Sequence, residues 1–444
     1  MRRFRRLLVL LCLDLTLAAA TLAGAEVGPD PAPVAPEPGP PQAATDADAG
    51  DAGEPSDPRA GGSGLMVSMP PALELPEFLP RVPTVDLTND AIDVWDRIRR
   101  GFGMPDLVSA DVDRQEIAYL SHPAYLDRAF ERARPFLYHI VAELEERGMP
   151  TELALLPMVE SAYNPRAYSR SRAAGLWQFI PSTGRVFNLE QNAWVDERRD
   201  VVASTDAALD YLQYVYEMHG DWHLALASYN WGEGAVARAL GKNRSAGEPL
   251  EYAHLKMPNE TRLYVPKLQA LKNIVAQPEL YGIELPYVAN KTHFATIDSP
   301  PGIDLATAAE FADISLEEFV QLNPGFKRPV IPDGTQPIVL PASRIETFRA
   351  NLALSGDAAT RWRSYSVRKS DTLNDLARRF GSTPTVLAEV NGISVRSRLR
   401  PGATLLVPVG ENAEAALRAA RVLPDEPKPK QRKRRYRSKR RSRR

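Results

Sequence analysis

Cysteine is almost absent from this chain, whose 444 residues include one, Cys12. A single thiol excludes an internal disulfide bond and a cysteine-ligated metal site. His219 and His223 are spaced like the histidines of a zinc-protease helix, but the glutamate that should follow the first is missing and no third ligand is evident. The sequence also lacks a phosphate-binding loop and a nucleotide fingerprint. We therefore predict an activity that needs no metal ion and no other cofactor.

Long apolar runs are also missing. The stretch from Leu7 to Leu13 follows a basic segment, Met1 to Arg6, and is well short of the roughly 18–20 residues that span a membrane. A basic start, an apolar run and small residues near Ala25 are the order found in secretory signal peptides. We predict a signal peptide at residues 1–25 and export to the periplasm or cell envelope. An uncleaved anchor that keeps the protein at the membrane, and lipidation at Cys12, stay open as alternatives.

Composition varies along the chain, although the whole has ordinary globular values of 44% hydrophobic residues, 25% charged residues and a formal net charge of -1. Residues 26–85 are rich in Ala, Pro, Gly and Asp, which predicts a disordered linker. Residues 411–444 are predicted to be a disordered tail, which is mostly Lys and Arg from Lys428 to Arg444. Such runs bind phosphate groups, but export argues against nucleic acid. We consider anionic groups of the envelope as its partner, and a solvated tail without a partner as the alternative.

Helical periodicity dominates residues 86–286. Apolar residues from Ile92 to Phe102 recur at helical spacing, and a longer amphipathic helix is predicted from Tyr125 to Arg147, kinked or split at Pro135. Further helices are predicted at Thr151–Glu160, Pro181–Phe187, Val201–His219, Trp222–Tyr229 and Glu260–Tyr281. This region is therefore predicted to form one nearly all-helical domain.

Two segments after Pro286 resemble each other. Residues 290–345 and residues 362–410 both have the pattern of strand, helix, helix and strand, and both end in an apolar run followed by proline. Internal repetition of this kind indicates small modules used in series.

Glu160 is the most informative single residue. It ends an apolar run from Leu153 to Val159, so its carboxyl is expected to lie against hydrophobic surface, which raises a carboxyl pKa. A carboxyl that stays protonated near neutral pH can donate its proton to a glycosidic oxygen. Periodicity alone leaves open a helix-terminal glutamate that faces solvent.

A longer motif surrounds this glutamate. Its parts are Glu160-Ser161, Asn164-Pro165, the run AGLWQFIPSTG from Ala174 to Gly184, and Ser228-Tyr229-Asn230. In number and order these residue types resemble the goose-lysozyme-like family of soluble-type lytic transglycosylases. Ser228 replaces the alanine that usually begins the third part.

The resemblance implies roles for five residues. Glu160 would be the catalytic residue and Ser161 would help to hold its carboxyl, while Gln178, Tyr229 and Asn230 would line the sugar groove. From the residues alone, Ser161 could also be a local capping hydroxyl, and Asn230 a turn former at a helix end.

The aromatic and aliphatic side chains of the motif have a simpler interpretation. Trp177, Phe179 and Ile180 are predicted to belong to the core, because such clusters are usually buried.

A conventional glycoside hydrolase needs a second carboxylate roughly 5–9 Å from the first. The near candidates are Asp196, Glu197 and Asp200, of which the aspartates are expected to cap the helix that begins at Val201. The resemblance implies a different reaction, in which the N-acetyl group of the substrate assists the departure of the leaving sugar. Glu160 would first protonate the glycosidic oxygen and then take a proton from the muramic acid O6, which closes a 1,6-anhydro ring without water.

The second repeat, residues 362–410, resembles a LysM module, with Thr372–Phe380 as its first helix and Asp371 as the cap. The first repeat, residues 290–345, resembles it less closely and is interpreted as a degenerate copy. LysM modules bind glycans that contain N-acetylglucosamine, so the resemblance implies peptidoglycan glycan strands as the partner. The order of modules resembles the membrane-bound D type of lytic transglycosylase over roughly residues 86 to 410.

The predicted fold is a mainly α, lysozyme-like catalytic domain followed by small α+β (βααβ) LysM-type modules, in a protein expected to be a monomer. Two other functions stay open. A hydrolytic muramidase would give reducing ends in place of the anhydro product, and a catalytically silent scaffold would need only the LysM modules.

Overall fold

The computed structural model describes residues 91–331, 336–359, 361–409 and 414–423. The predicted signal peptide, Cys12, the linker at 26–85 and the basic run from Lys428 to Arg444 lie outside the described residues. Within the described ranges, no helix combines the length and the apolar character needed to cross a membrane.

A helical domain makes up the first part of the described chain. Its helices are α1 (Val94–Arg100), α2 (Ala110–Leu120), α3 (Pro123–Glu146), α4 (Leu156–Ser161), α5 (Pro181–Val186), α6 (Val201–His219), α7 (Trp222–Trp231), α8 (Glu233–Ala246), α9 (Asn259–Arg262) and α10 (Tyr264–Ala276), with 3-10 turns at Thr151–Leu155, Tyr252–His254 and Pro278–Tyr281.

Helix α6 confirms the predicted bounds at both ends. The Asp200 carboxylate accepts a hydrogen bond from the Ala203 amide at 2.8 Å, which is the predicted cap. The helix ends at Gly220, whose φ of +65° is easily adopted by glycine. The bounds of α1 differ from the predicted ones, because Asp93 caps a helix that begins at Val94 and leaves Ile92 80% exposed.

Two longer predictions need correction. Helix α3 is not split at Pro135, because its buried apolar face holds it against the core and outweighs the roughly 3 kcal/mol that an interior proline costs. The predicted helix Glu260–Tyr281 is instead three pieces, which are α9, α10 and the 3-10 turn Pro278–Tyr281.

The core of the helical domain contains two fully buried tryptophans. Trp95 meets Phe130 edge to face, with 5.4 Å between ring centroids. The indole N–H of Trp177 donates to the Thr205 hydroxyl at 3.0 Å, so its one polar atom is satisfied inside the core. These contacts bring α1, α3 and α6 together around the segment that carries the sequence motif.

The two repeats form the predicted strand–helix–helix–strand units. The first module contains β1 (Phe294–Ile297), α11 (Leu305–Ala312), α12 (Leu316–Leu322) and β2 (Ile338–Pro341), followed by α13 (Ile345–Ser355). The second module contains β3 (Trp362–Ser366), α14 (Leu373–Arg379), α15 (Pro384–Asn391) and β4 (Thr404–Pro408), and α16 (Glu414–Val422) follows it. Each module has one antiparallel two-stranded sheet.

Equivalent asparagines confirm that the modules are copies of one design. Asn323 donates to the carbonyls of Phe319 and Val339 and accepts from the Val339 amide. Asn391 makes the same three bonds in the second module, with Leu387 and Leu406. In both modules this side chain ties the second helix to the second strand.

Two predictions for the last part of the chain are wrong in detail. The side chain that caps α14 belongs to Thr372, while Asp371 accepts from the Arg368 amide at 2.6 Å and the Tyr365 hydroxyl at 2.9 Å. The segment predicted to be a disordered tail begins with α16, whose Ala419 is fully buried in the core of the first module.

Candidate functional site

A cleft of about 420 Å³ opens in the helical domain between the end of α4, the loop before α5, the end of α7 and the start of α10. It is lined by Val159, Glu160, Ser169, Ser171, Ala173, Gln178, Phe179, Ile180, Thr183, Tyr211, Tyr229, Asn230, Trp231, Gly232, Glu233, Glu260, Tyr264 and Lys267. Four of the five residues that the motif singled out are among them.

The chain reverses directly after Glu160, which is the penultimate residue of α4. Ala162 and Tyr163 both adopt the left-handed conformation, with φ of 49° and 53°. Strain of this kind is tolerated where the surroundings hold it. Here the Tyr163 side chain is fully buried and its hydroxyl donates to the Ala154 carbonyl. The turn therefore holds the Glu160 carboxyl at the edge of the cleft.

The Glu160 carboxyl is half-buried, and burial raises its pKa from the ordinary 4.5 to about 7. The Tyr264 hydroxyl donates a hydrogen bond to it, which lowers the pKa. The negative charge of Glu260 raises the pKa, and the positive charge of Lys267 lowers it. Because burial dominates, this carboxyl can hold or release a proton near neutral pH, as the apolar run predicted.

Three predicted groove residues lie around this carboxyl. The Tyr229 hydroxyl donates to the Trp177 carbonyl at 2.8 Å, so its ring is held across the cleft. Gln178 donates through its side-chain amide to the Gly175 carbonyl at 2.8 Å. Asn230 accepts at its side-chain oxygen from the Thr261 hydroxyl at 2.8 Å.

Ser161 lies next to Glu160 but bonds elsewhere. Its hydroxyl donates to the carbonyls of Pro157 at 3.1 Å and Leu176 at 2.9 Å. The serine therefore joins the end of α4 to the loop that carries Gln178, and it acts on the backbone around the cleft.

The core prediction for the aromatic and aliphatic side chains of the motif holds for two of three. Trp177 and Phe179 are buried, and Phe179 also contributes to the cleft wall. Ile180 is 42% exposed and lines the cleft, so its assignment to the core was wrong. It is the last residue before α5, where the chain leaves the core.

Sequence reasoning missed several lining residues. Glu260, Tyr264 and Lys267 enter the cleft from α9 and α10, and Glu233 enters from the start of α8. The first three are four and three residues apart, which is the spacing of one helix face, so a polar stripe was visible in the segment predicted as a helix. Glu233 had no such signal, although its carboxylate accepts from the Tyr211 hydroxyl at 2.8 Å.

The carboxylates considered earlier as second acids have other partners. Asp196 forms a buried ion pair with Arg198 at 2.7 Å, and Glu197 accepts from the Glu190 amide at 2.7 Å. Asp200 caps α6. The second carboxylates in the cleft wall are instead the missed Glu233 and Glu260.

The histidines spaced like metal ligands bond separately. His219 Nε2 pairs with the Ser228 hydroxyl at 2.9 Å, and His223 Nε2 pairs with the Pro105 carbonyl at 3.1 Å. Both histidines connect neighbouring elements of the helical domain.

Three family profiles match separate parts of the chain. The transglycosylase SLT domain matches residues 138–250, which include the cleft motif. The LysM-like domain of lytic transglycosylase MltD matches residues 293–357, and the LysM domain matches residues 365–408. The lysozyme-like helical domain and the two modules thus have the predicted fold class, and together they define the chain as a lytic transglycosylase.

Comparison with known proteins indicates which type of lytic transglycosylase the chain is. The chain is 36% identical over 339 residues to membrane-bound lytic murein transglycosylase D of Escherichia coli (strain K12), covering 72% of this chain and 74% of that protein. It therefore belongs to the membrane-bound lytic murein transglycosylase D family.

Other similarities cover less of this chain. A putative tributyltin chloride resistance protein of Alteromonas sp. (strain M-1) is 38% identical over 162 residues, covering 36% of this chain and 77% of that protein. The soluble lytic murein transglycosylase of Escherichia coli (strain K12) is 30% identical over 127 residues, covering 28% of this chain and 19% of that protein.

Proposed function

We propose that this enzyme cleaves the β-1,4 bond between N-acetylmuramic acid and N-acetylglucosamine in peptidoglycan without water, leaving 1,6-anhydromuramic acid ends. The observation that carries the proposal is the half-buried Glu160 carboxyl in the cleft, whose pKa is raised to about 7. A group with this pKa can serve as acid and then as base in one turnover, because both forms are accessible near neutral pH.

The reaction needs two proton transfers at Glu160. The protonated carboxyl donates to the glycosidic oxygen as the bond to C1 of the muramic acid breaks, and the 2-N-acetyl oxygen of the substrate stabilises the electron-deficient C1. The Glu160 carboxylate then takes the proton of the O6 hydroxyl, and O6 bonds to C1 as the acetyl oxygen leaves. The carboxyl ends protonated, so each turnover restores the starting state.

The surroundings of Glu160 fit both halves of this cycle. Tyr264 donates to the carboxylate, which stabilises the form that acts as base. The exposed Glu260 favours the protonated form that acts as acid. Burial raises the pKa of this carboxyl most, and the opposed effects of Tyr264 and Glu260 act on that raised value.

Polar groups in the wall can orient the sugar. Asn230 uses its oxygen for Thr261, which leaves its NH2 group to donate to a hydroxyl or acetyl oxygen. Gln178 uses its NH2 group for Gly175, which leaves its oxygen to accept. We assign substrate binding to Gln178, Tyr229 and Asn230, and support of the surrounding backbone to Ser161.

The remaining assignments follow from the family. The second module is proposed to bind glycan strands. Because the D-type relative is described as membrane-bound and acts on murein, we place this protein in the cell envelope, in peptidoglycan turnover. The same proposal includes the predicted bounds of the linker, the helical domain and the two modules. It also includes export by a signal peptide at residues 1–25, a monomeric state and contact of the basic run from Lys428 to Arg444 with anionic envelope groups.

Mass spectrometry of fragments released from purified peptidoglycan tests the reaction, with Glu160→Gln as the variant. Anhydromuramyl products that disappear in the variant are expected. Reducing-end products would instead indicate hydrolysis, with Glu233 or Glu260 as the second carboxylate. Intact peptidoglycan that binds the protein without being cleaved would leave a scaffold and refute the enzymatic role of the cleft.

A further inference from the structure

The first module shares its core with the helical domain. In the β1–β2 sheet, Phe294 and Val339 point to one face and join the core cluster of the helical domain. Ile338 and Leu340 point to the other face and pack under the helices of the module. Each face of this sheet therefore contributes side chains to a different core.

The first strand of the second module does not share a core with the helical domain in this way. In β3, Arg363, Ser364 and Ser366 are exposed. The two copies of one design thus differ in how they attach to the rest of the chain, and the first is built into the helical domain.

A loop of the helical domain, residues 190–198, forms the junction. We call it the junction loop. Val195 forms a β-bridge with Phe326 of the first module, and the Asp196 amide donates to the Gly325 carbonyl at 2.8 Å. The Lys327 amide donates back to the Trp194 carbonyl at 2.8 Å. The module and the junction loop are therefore paired through their backbones, which fixes their register.

Apolar contacts strengthen the same junction. Val195 and Phe326 are buried in the core of the first module. The Trp194 side chain packs against the cores of both modules. The junction loop is thus held from the module side by side chains as well as by backbone.

The other end of the junction loop carries a buried ion pair. The Arg198 guanidinium donates to both carboxylate oxygens of Asp196, at 2.8 and 2.7 Å. These residues are 4% and 7% exposed, respectively. Burying a charge is unfavourable unless it is paired and hydrogen-bonded, so the position of Arg198 depends strongly on that of Asp196.

The same guanidinium holds the wall of the cleft. Its Nη1 donates to the carbonyls of Arg172 at 2.7 Å and Phe179 at 3.0 Å. Both carbonyls belong to residues 168–180, which we call the cleft loop, and this loop carries Gln178 and Ile180 into the cleft.

Close packing leaves the cleft loop little freedom. A Cβ atom at Gly175 would lie 1.9 Å from the Arg198 carbonyl oxygen. The cleft loop therefore lies directly on the backbone of the junction loop, and a displacement of one displaces the other.

We propose that Arg198 is a positioning residue for the cleft and that the first module is its support, not an independent glycan-binding unit. Contact between the module and Asp196 sets the position of the ion pair, and the guanidinium sets the position of Gln178 and Phe179. The inference rests on the proposed function, because the cleft loop matters only if the cleft binds glycan.

Two variants of the full chain test the connection from the first module through Asp196 and Arg198 to the cleft loop, one at each end. Arg198→Lys keeps the positive charge beside Asp196. It loses the planar guanidinium, which also donates to the carbonyls of Arg172 and Phe179. Phe326→Ala loosens the junction from the module side. The matched control is Phe348→Ala, which removes the same ring from the same core cluster, but on α13, away from the junction loop.

Two measurements are made well below the melting temperature of each variant. The first is amide hydrogen exchange of residues 168–180. The second is the affinity of a short peptidoglycan fragment, of a length that fills the cleft alone, in a Glu160→Gln background where no turnover occurs. Exchange is expected to accelerate about tenfold in both test variants, the effect of losing hydrogen bonds to a charged group, and to stay unchanged in the control.

Fragment affinity is expected to fall several-fold in Arg198→Lys and in Phe326→Ala. The double variant is expected to bind the fragment no more weakly than the weaker-binding single variant, because both changes act through the same contacts between the first module and the cleft loop. Unchanged exchange in Phe326→Ala, equal effects in Phe348→Ala, or effects that multiply in the double variant would each overturn the proposal. Failure of the Glu160→Gln parent to bind the fragment refutes the proposed function instead, and the exchange measurement still decides whether the module supports the loop.

Discussion

Replacing Glu160 with glutamine should make the protein more stable at alkaline pH, although the change removes the residue assigned to the chemistry. The pKa of the wild-type carboxyl is about 7 in the folded protein, against an ordinary value of 4.5. Between these values the unfolded chain carries a carboxylate while the folded chain retains a proton. Stability of the wild type therefore falls as the pH rises from 4.5 to 7, and stays reduced above that range.

The size of the effect follows from the same two values. At about 1.4 kcal/mol per pKa unit, the difference between 4.5 and 7 corresponds to at most about 3.5 kcal/mol, of which about 3 kcal/mol is lost between pH 4.5 and pH 8. Glutamine is neutral at every pH and does not incur this loss. The melting temperature of Glu160→Gln relative to the wild type should thus increase by roughly 6–12 °C between pH 4.5 and pH 8.

Denaturation followed by tryptophan fluorescence measures this difference, because five of the six tryptophans belong to the helical domain. Other ionisable groups are common to both proteins, so their contributions cancel when the two curves are subtracted. The exposed Glu248 supplies a matched control variant, Glu248→Gln, which removes a carboxyl from outside the cleft. A constant difference for Glu160→Gln between pH 4.5 and pH 8 would show that this carboxyl ionises like an exposed one, and the argument from burial would fail.

Three further changes have defined outcomes. Glu260→Gln removes a charge that raises the pKa of Glu160, so the alkaline decline of kcat/KM should move to lower pH in a pH–rate profile. Gly175→Ala should lower the free energy of unfolding by roughly 3 kcal/mol or more in a thermal melt, because the new methyl meets a backbone oxygen at 1.9 Å where φ is +83°. Gly220→Ala, with φ of +65° and open space around the new methyl, should lower it by about 1 kcal/mol. Asn391→Ala removes three hydrogen bonds and should destabilise the second module by about 2–3 kcal/mol, with loss of retention on insoluble peptidoglycan.

Each of these predictions has a result that would contradict it. Lys267 lowers the pKa of Glu160, so Lys267→Met should move the alkaline decline in the direction opposite to Glu260→Gln. A shift in the same direction for both variants would contradict the charge effects on Glu160. Equal melting temperatures for the two glycine variants would contradict the close contact at Gly175. Unchanged retention of an Asn391→Ala protein whose second module is unfolded would remove that module from glycan binding.

Much of the architecture could be predicted from local sequence. Helix α6 is specified by Asp200 before it, by a periodic apolar face and by Gly220 after it, and the repeats are specified by matching strands, helices and an asparagine. The apolar run before Glu160 indicated burial and a raised pKa, although periodicity alone also left open a side chain that faces solvent. These features depend on neighbours in the chain.

What the tertiary structure alone decided involves residues far apart in sequence. The Tyr264 hydroxyl donates to Glu160, which is 104 residues away in sequence, and no local pattern predicts such a pair. Ile180 has the composition of a core residue, yet the end of the cleft loop places it at the surface. Asp196 was predicted to cap α6, but it pairs with Arg198 instead, because Gly325 of the first module and the Phe179 carbonyl fix the two residues from either side. Periodicity reports which face of an element is buried, but the partner that buries it is chosen by packing of the whole chain.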